Sequence, residues 1–177
     1  MIAVRVAHTA QLEPGTLAGA RSLLYGVFDD MTEHDWEHSL GGIHALAYEG
    51  SELVGHAAVV QRRLVHGGRA LRAGYVEGVG VRADRRRRGH ASGMMEALER
   101  VIRDAYELGA LGASDEARRF YGGRGWRLWG GPLGALTPDG VVATPEEQGG
   151  VYVLPVDGVP LDLSGRLVCD WRDGDVW

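Results

Sequence analysis

The residues best placed to do chemistry lie between Gly74 and Leu98, in GYVEGVGVRADRRRRGHASGMMEAL. Glu77 is a carboxylate in an otherwise apolar run, where burial would raise its pKa toward that of a useful proton acceptor. Arg85 to Arg88 and Gly89 combine guanidinium charge with a residue that lets backbone donors come close, which is what a pyrophosphate requires. The same residues also read as a solvated basic patch, since an exposed arginine needs no partner.

The elements on either side favour the first reading. Tyr75, Val76, Val79 and Val81 form a β-branched strand interrupted by Gly78 and Gly80, and glycine within a strand marks a bulge or a close backbone approach. From Ala91 the spacing becomes helical, with Ala91, Met94, Leu98, Val101, Ile102 and Ala105 on one face. Arg86 to Ala91 therefore open a helix, where unpaired N–H groups and the positive dipole end face outward.

Around this core the chain reads as α/β with a mixed sheet. Val4 to His8 alternate as a first strand. Pro14-Gly15-Thr16 is a turn with a helix cap, and Leu17, Ala20, Leu24, Val27 and Phe28 make the face of that helix. Thr32 and Asp35 form a capping pair for a short helix that Gly41-Gly42 stops, and strands Ile43 to Glu49 and Glu52 to Val65 meet around Gly50-Ser51. His66 to Arg69 turn into the strand beginning near Leu71. Farther on, Gly109 is expected to cap the long helix and Ala110 to Ala113 to form a buried strand. Ser114 or Asp115 should cap a helix over Glu116 to Tyr121, and Arg124 to Trp129 should open another strand.

With 177 residues, 45% of them hydrophobic, the chain has material for one full core, so a single domain spanning 1–177 is expected. No apolar run is long enough to span a bilayer and the N-terminal residues are too polar for a signal, which points to a soluble cytoplasmic protein without a membrane partner. Cys169 has no second cysteine to pair with and reads as a small buried hydrophobe. The net charge of −5 disfavours a nucleic-acid partner and suits a cationic small molecule, with acids at Asp29, Asp30, Glu33, Asp35, Glu146, Glu147, Asp170, Asp173 and Asp175. His34, His38, His44, His56, His66 and His90 share no ligand spacing, so no metal is expected.

Arg86-Arg87-Arg88-Gly89-His90-Ala91, after a strand ending Val79-Gly80-Val81, resembles the R-x-x-G-x-G/A acyl-CoA signature of the GNAT superfamily of N-acetyltransferases, with Arg87 where many relatives carry Gly. Ala117-Arg118-Arg119-Phe120-Tyr121-x-x-x-Gly125-Trp126 resembles its second signature, A-x-x-(F/L)-Y-x-x-x-G-(F/W). Three further stretches narrow the likeness. They are Thr32-x-x-Asp35-Trp36-Glu37-His38-x-Leu40-Gly41-Gly42-x-His44, Gly74-Tyr75-Val76-Glu77 and Tyr106-x-Leu108-Gly109-Ala110-Leu111. With the ending Cys169-Asp170-Trp171-Arg172-x-Gly174-Asp175-Val176-Trp177 they are similar to the aminoglycoside 2'-N-acetyltransferases.

The resemblance implies a GNAT fold with a mixed, mostly antiparallel sheet flanked by helices, a homodimer, and acetyl-CoA-dependent acetylation of the aminoglycoside 2'-amine. It implies coenzyme A contacts from Val79, Gly80, Val81 and Arg86, Arg87, Arg88, Gly89, His90 and Ala91. Glu77 matches the residue that deprotonates the amine through water, and Tyr121 the general acid for the departing thiolate. The Val79 N–H is the candidate donor to the oxyanion. Asp30, Asp175 and the carboxylate of Trp177 match positions that grip the aminoglycoside; Glu146 and Glu147 fall where relatives carry acids, and Gly78 and Gly112 offer backbone contacts. Gly112 replaces the Ser of some relatives. Trp126 and Trp129 read as strand packing, with room for one aromatic wall beneath the sugar rings.

Three other readings stay open on the sequence. An acetyltransferase could act on another amine, such as kasugamycin, a cell-wall amino sugar or a protein lysine. A sensor would bind acyl-CoA without catalysis. An RNA-binding module would use Arg85 to Arg88, against the acidic balance of the chain.

Overall fold

A computed structural model of the chain describes residues 2–177. In order, the elements are β1 (Ile2–His8), α1 (Pro14–Val27), α2 (Glu33–His38), β2 (Ile43–Glu49), β3 (Glu52–His66) and β4 (Arg69–Val81). There follow α3 (His90–Ala105), β5 (Leu108–Gly112), α4 (Arg118–Gly122), β6 (Arg127–Leu128), β7 (Leu133–Thr137), β8 (Gly140–Ala143), β9 (Val151–Pro155) and β10 (Leu167–Cys169). The pairings β4–β5 and β10–β7 are parallel, whereas β1–β2, β2–β3, β10–β3, β5–β9, β6–β9 and β7–β8 are antiparallel. The sheet is thus mixed and mostly antiparallel. No helix of the described residues is long and apolar enough to cross a membrane.

The chain forms two compact units, the first made of residues up to Val60 with Val76–Val101, the second of Gln61–Tyr75 with Ile102–Trp177. In the first unit β1, β2 and β3 form an antiparallel meander, with Val4 opposite Ala47 and Ala45 opposite Ala57. Helix α1 buries Ala20, Leu23 and Leu24 in a cluster with Ala7, Leu12, Trp36 and Leu46. Its first residue is Pro14, a position where the missing N–H costs nothing, and Glu13 precedes it without a side-chain cap. The cap expected within Pro14-Gly15-Thr16 therefore does not form. The expected pair at α2 does: Asp35 N–H donates to Thr32 Oγ1 at 3.3 Å and Thr32 N–H to Asp35 Oδ2 at 2.7 Å. Helix α3 buries Met94, Met95, Leu98 and Ile102, with Glu99 on the buried side and Ala105, at the helix end, exposed rather than on the stripe.

The second unit carries the strand order β6-β9-β5-β4-β3-β10-β7-β8. Gly109 is a strand residue here, not a helix cap. It pairs with Gly74 and Leu154, and a Cβ on it would come within 3.0 Å of Leu154 Cβ and of the Trp126 ring, so glycine is required by close approach. The helix expected over Glu116 to Tyr121 divides into a 3-10 turn, Asp115–Ala117, and α4, with no side-chain cap from Ser114. The strand expected from Arg124 shrinks to β6, because Trp126 N–H donates back to Tyr121 O at 3.2 Å and keeps Arg124 to Trp126 in the turn. Trp126 and Trp129 are both buried, and Trp129 Nε1–H donates to Gly165 O at 3.0 Å. They are packing residues, and neither offers a face to a sugar.

Candidate active site

In the first unit the site begins at the end of β4. Glu77, Gly78 and Val79 are half-buried, while Gly80 and Val81 are buried. Gly78 has φ +56, a left-handed conformation that turns the strand at that point, as the glycine pattern leads one to expect. Gly80 lies under α1, where a Cβ would meet Leu24 Cδ2 at 2.9 Å. The chain then passes through a 3-10 turn, Ala83–Arg85, to Gly89, whose carbonyl accepts from Gly93 N–H at 3.0 Å. Gly89 is thereby the N-cap of α3. The N–H groups of the first helical turn, from His90 and Ala91 onward, have no acceptor within the helix and lie at its positive end.

The arginines divide their work. Arg85 is engaged by Glu49 at 3.2 Å, Glu52 at 3.4 Å and Asp84 at 2.7 Å, and Arg88 reaches Glu49 at 3.4 Å. A hydrogen bond from His90, with the charges of Arg88 and Arg85, holds the Glu49 carboxyl below the usual range. His90 is itself buried, its Nε2 2.7 Å from Glu49 Oε1, so only its backbone faces the loop. Arg86 and Arg87 are exposed. Arg87 has φ +61, a strain of about 1–2 kcal/mol for a residue with a Cβ, at the position where glycine would carry none. Backbone donors from Gly89 to Ala91, ringed by exposed Arg86, Arg87 and Arg88, fit a pyrophosphate. Asp30 stands exposed in the turn after α1.

In the second unit the C-terminal residues fold back on the end of β5. A Cβ on Gly112 would lie 3.8 Å from the Trp177 carbonyl carbon and 3.8 Å from Tyr75 OH. The Trp177 indole is buried and donates to Thr144 Oγ1 at 2.9 Å. Its N–H donates to Asp175 Oδ1 at 3.1 Å, and its carbonyl accepts from Arg172 Nη2 at 3.0 Å. Buried Arg62 holds this tail: Nε donates to Asp170 Oδ1 at 2.7 Å, and Nη2 to Asp170 O at 2.9 Å and Val176 O at 2.7 Å. The Tyr75 ring lies 4.6 Å from the Arg62 guanidinium and 5.3 Å from that of Arg172. Burial, then the nearness of Asp175 and Glu146, pushes the Glu147 carboxyl up. Gly112, Glu146, Glu147, Asp175 and Trp177 are therefore brought together, with an acidic character suited to a cation.

Tyr121, on α4, has its ring buried beside Trp126 at 6.0 Å and Phe120 at 5.2 Å. Cys169 Sγ donates to Val176 O at 3.2 Å, and burial pushes the thiol up to about 11, which keeps it protonated and unreactive. Among the described residues no group of three or more His, Cys, Asp or Glu is gathered to hold a metal.

Sequence reasoning passed over Arg62 and Thr144, whose partners lie far along the chain, Arg172, which donates to the Asp175 and Trp177 carbonyls of its own segment, and His44 and His56, which the absence of metal spacing set aside. The strand alternation around Arg62 was the available signal, an arginine at an inward position of β3. Asp170→Asn keeps an acceptor for Arg62 but removes its charge. It is expected to lower unfolding free energy by about 1 kcal/mol, read from urea titration.

Residues 11–129 match the family model described as Acetyltransferase (GNAT) domain. The aminoglycoside 2'-N-acetyltransferase of Mycolicibacterium fortuitum is 51% identical over 177 residues, covering 98% of this chain and 91% of that protein. Among solved structures, the GNAT family N-acetyltransferase YhbS of Escherichia coli in complex with CoA is similar with TM-score 0.63 and 18% identity, over 95% of this chain and 89% of that one. Eis1 from Mycobacterium abscessus is similar with TM-score 0.62 and 18% identity over 76% of this chain, which spans only 33% of that larger chain.

Proposed function

The chain belongs to the GNAT acetyltransferases and, within them, to the aminoglycoside 2'-N-acetyltransferases, and from that premise we propose that it transfers the acetyl group of acetyl-CoA to the 2'-amine of an aminoglycoside. The substrate ammonium loses a proton through water to Glu77, and the neutral amine attacks the thioester carbonyl. The new C–N bond leaves charge on the carbonyl oxygen, which the Val79 N–H stabilises. Collapse breaks the C–S bond, Tyr121 gives its proton to the departing thiolate, and the second proton of the attacking nitrogen passes to solvent, from which Tyr121 is reprotonated. No covalent enzyme intermediate is involved.

Coenzyme A lies along Val79, Gly80 and Val81, with its phosphates at Arg86 to Ala91. Asp30, Glu146, Glu147, Asp175 and Trp177, with the backbone of Gly78 and Gly112, hold the polycation through charge-assisted hydrogen bonds. The two units act as one N-acetyltransferase domain, a reading supported by a family match that takes in residues of both. A homodimer in the cytoplasm completes the proposal, the dimer by kinship.

What carries the reading is the kinship with the Mycolicibacterium fortuitum enzyme over nearly all of both chains. Its support in the site is the cluster of acids around Trp177. A thiol-release assay with acetyl-CoA tests it. Tobramycin and gentamicin, which carry a 2'-amine, should release coenzyme A, and kanamycin A and amikacin, with a hydroxyl there, should not. Equal release from both pairs would assign a different amine, and coenzyme A binding without release would assign a sensor.

A further inference from the structure

His44 and His56 are fully buried in the first unit and take no part in the chemistry above. Their strands explain why they meet. The β2–β3 register sets His44 opposite Ala58 and His56 opposite Leu46, so the two rings are diagonal neighbours on one face. His56 Nδ1 lies 2.8 Å from Gly78 O, His56 Nε2 lies 2.9 Å from His44 Nδ1, and His44 Nε2 lies 2.7 Å from Thr9 Oγ1. Thr9 Oγ1 in turn accepts from Gly41 N–H at 2.9 Å.

The direction of this chain follows from its last link. A carbonyl oxygen accepts only, so His56 Nδ1 carries a hydrogen. In a neutral ring Nε2 is then an acceptor, so His44 Nδ1 also carries a hydrogen and its Nε2 accepts, and the single Thr9 hydroxyl proton goes to His44 Nε2 at 2.7 Å rather than to the more distant Gly42 O at 3.3 Å. One protonation pattern satisfies every contact of a neutral pair. Burial favours that state, lowering both imidazoles to about 4, with the neighbouring His8 adding to the effect on His44. Because the chain ends on a carbonyl, it has no group there to take a proton from the substrate.

Gly78 is where the strand turns, at φ +56, between Glu77 and Val79. The turn is packed as well as hydrogen-bonded, since a Cβ there would come within 3.0 Å of Leu24 Cδ1 and Ser39 Oγ and 3.3 Å of His56 Cε1. We propose that Thr9, His44 and His56 form a fixed donor chain that holds the Gly78 carbonyl, and through it positions the Glu77 carboxylate and the Val79 N–H for amine attack. These are positioning residues. The inference rests on the roles given to Glu77 and Val79 above.

Long-range proton–nitrogen NMR correlation on the labelled protein without ligand reads the two rings directly. Both are expected as neutral Nδ1–H tautomers from pH 5 to pH 8. An Nε2–H tautomer at either ring, or a ring that titrates in this interval, overturns the donor chain whatever the substrate proves to be. The kinetic arm compares His56→Leu with His56→Asn, whose side-chain amide can still donate to Gly78 O. His56→Leu should lower kcat about 10- to 100-fold with KM for acetyl-CoA within about twofold, and His56→Asn should recover most of the loss. A folded His56→Leu with unchanged kcat, or equal losses in the two variants, contradicts the positioning role. The NMR arm decides the donor chain even where a variant fails to fold.

Discussion

Replacing Glu77 by Gln is expected to lower kcat by about 10²- to 10³-fold while KM for acetyl-CoA stays within about twofold, because the amine loses its proton acceptor and the thioester keeps its seat. The pH profile distinguishes this from simple disruption. With the carboxylate present, protonated amine can be used and the rate is supported near neutrality. In Glu77→Gln only the amine already neutral in solution reacts, so the residual rate should climb about tenfold per pH unit below the amine pKa. A variant whose rate falls equally at every pH has lost geometry, not a base. Glu77 is half-buried at the turn of β4, so the amide is accommodated without cutting into the core.

Tyr121→Phe is expected to lower kcat about 10²-fold, from loss of the proton given to coenzyme A thiolate. The ring itself should remain in place. It packs edge-on to Phe120 and Trp126, and Phe keeps those contacts, so the melting temperature should shift by no more than about 2 °C. The two variants separate the ends of the reaction. Adding a good leaving-group thioester should restore Tyr121→Phe more than Glu77→Gln, because only the former lacks a proton for the thiolate.

The sequence made the first unit legible where local chemistry decides the structure. The Thr32–Asp35 capping box, the strands on either side of Gly50, and the opening of α3 at Gly89 all depend on a few adjacent residues. Glycine misled where two physical reasons coincide: Gly109 reads as a helix cap, but what requires its small size is the close approach of Leu154 and Trp126, which come from other strands and turns. The basic loop was legible as a site, though its division of labour was not. Arg85 is tied up by Glu49 and Glu52, more than thirty residues earlier, and such pairings need the fold. The same holds for Arg62 with the tail beyond Asp170, and for His44 with His56, where strand register makes two unremarkable histidines neighbours. In the second unit the shortening of β6 follows from one backbone hydrogen bond, Trp126 N–H to Tyr121 O, that no propensity encodes.

The position of the transferred acetyl group is the most direct test. Tobramycin, acetyl-CoA and the protein are incubated to completion, and the product is assigned by two-dimensional NMR. A single new amide whose proton couples to H2' is the predicted result. An acetyl group on any other nitrogen of tobramycin, or unmodified drug after coenzyme A has been consumed, contradicts the account.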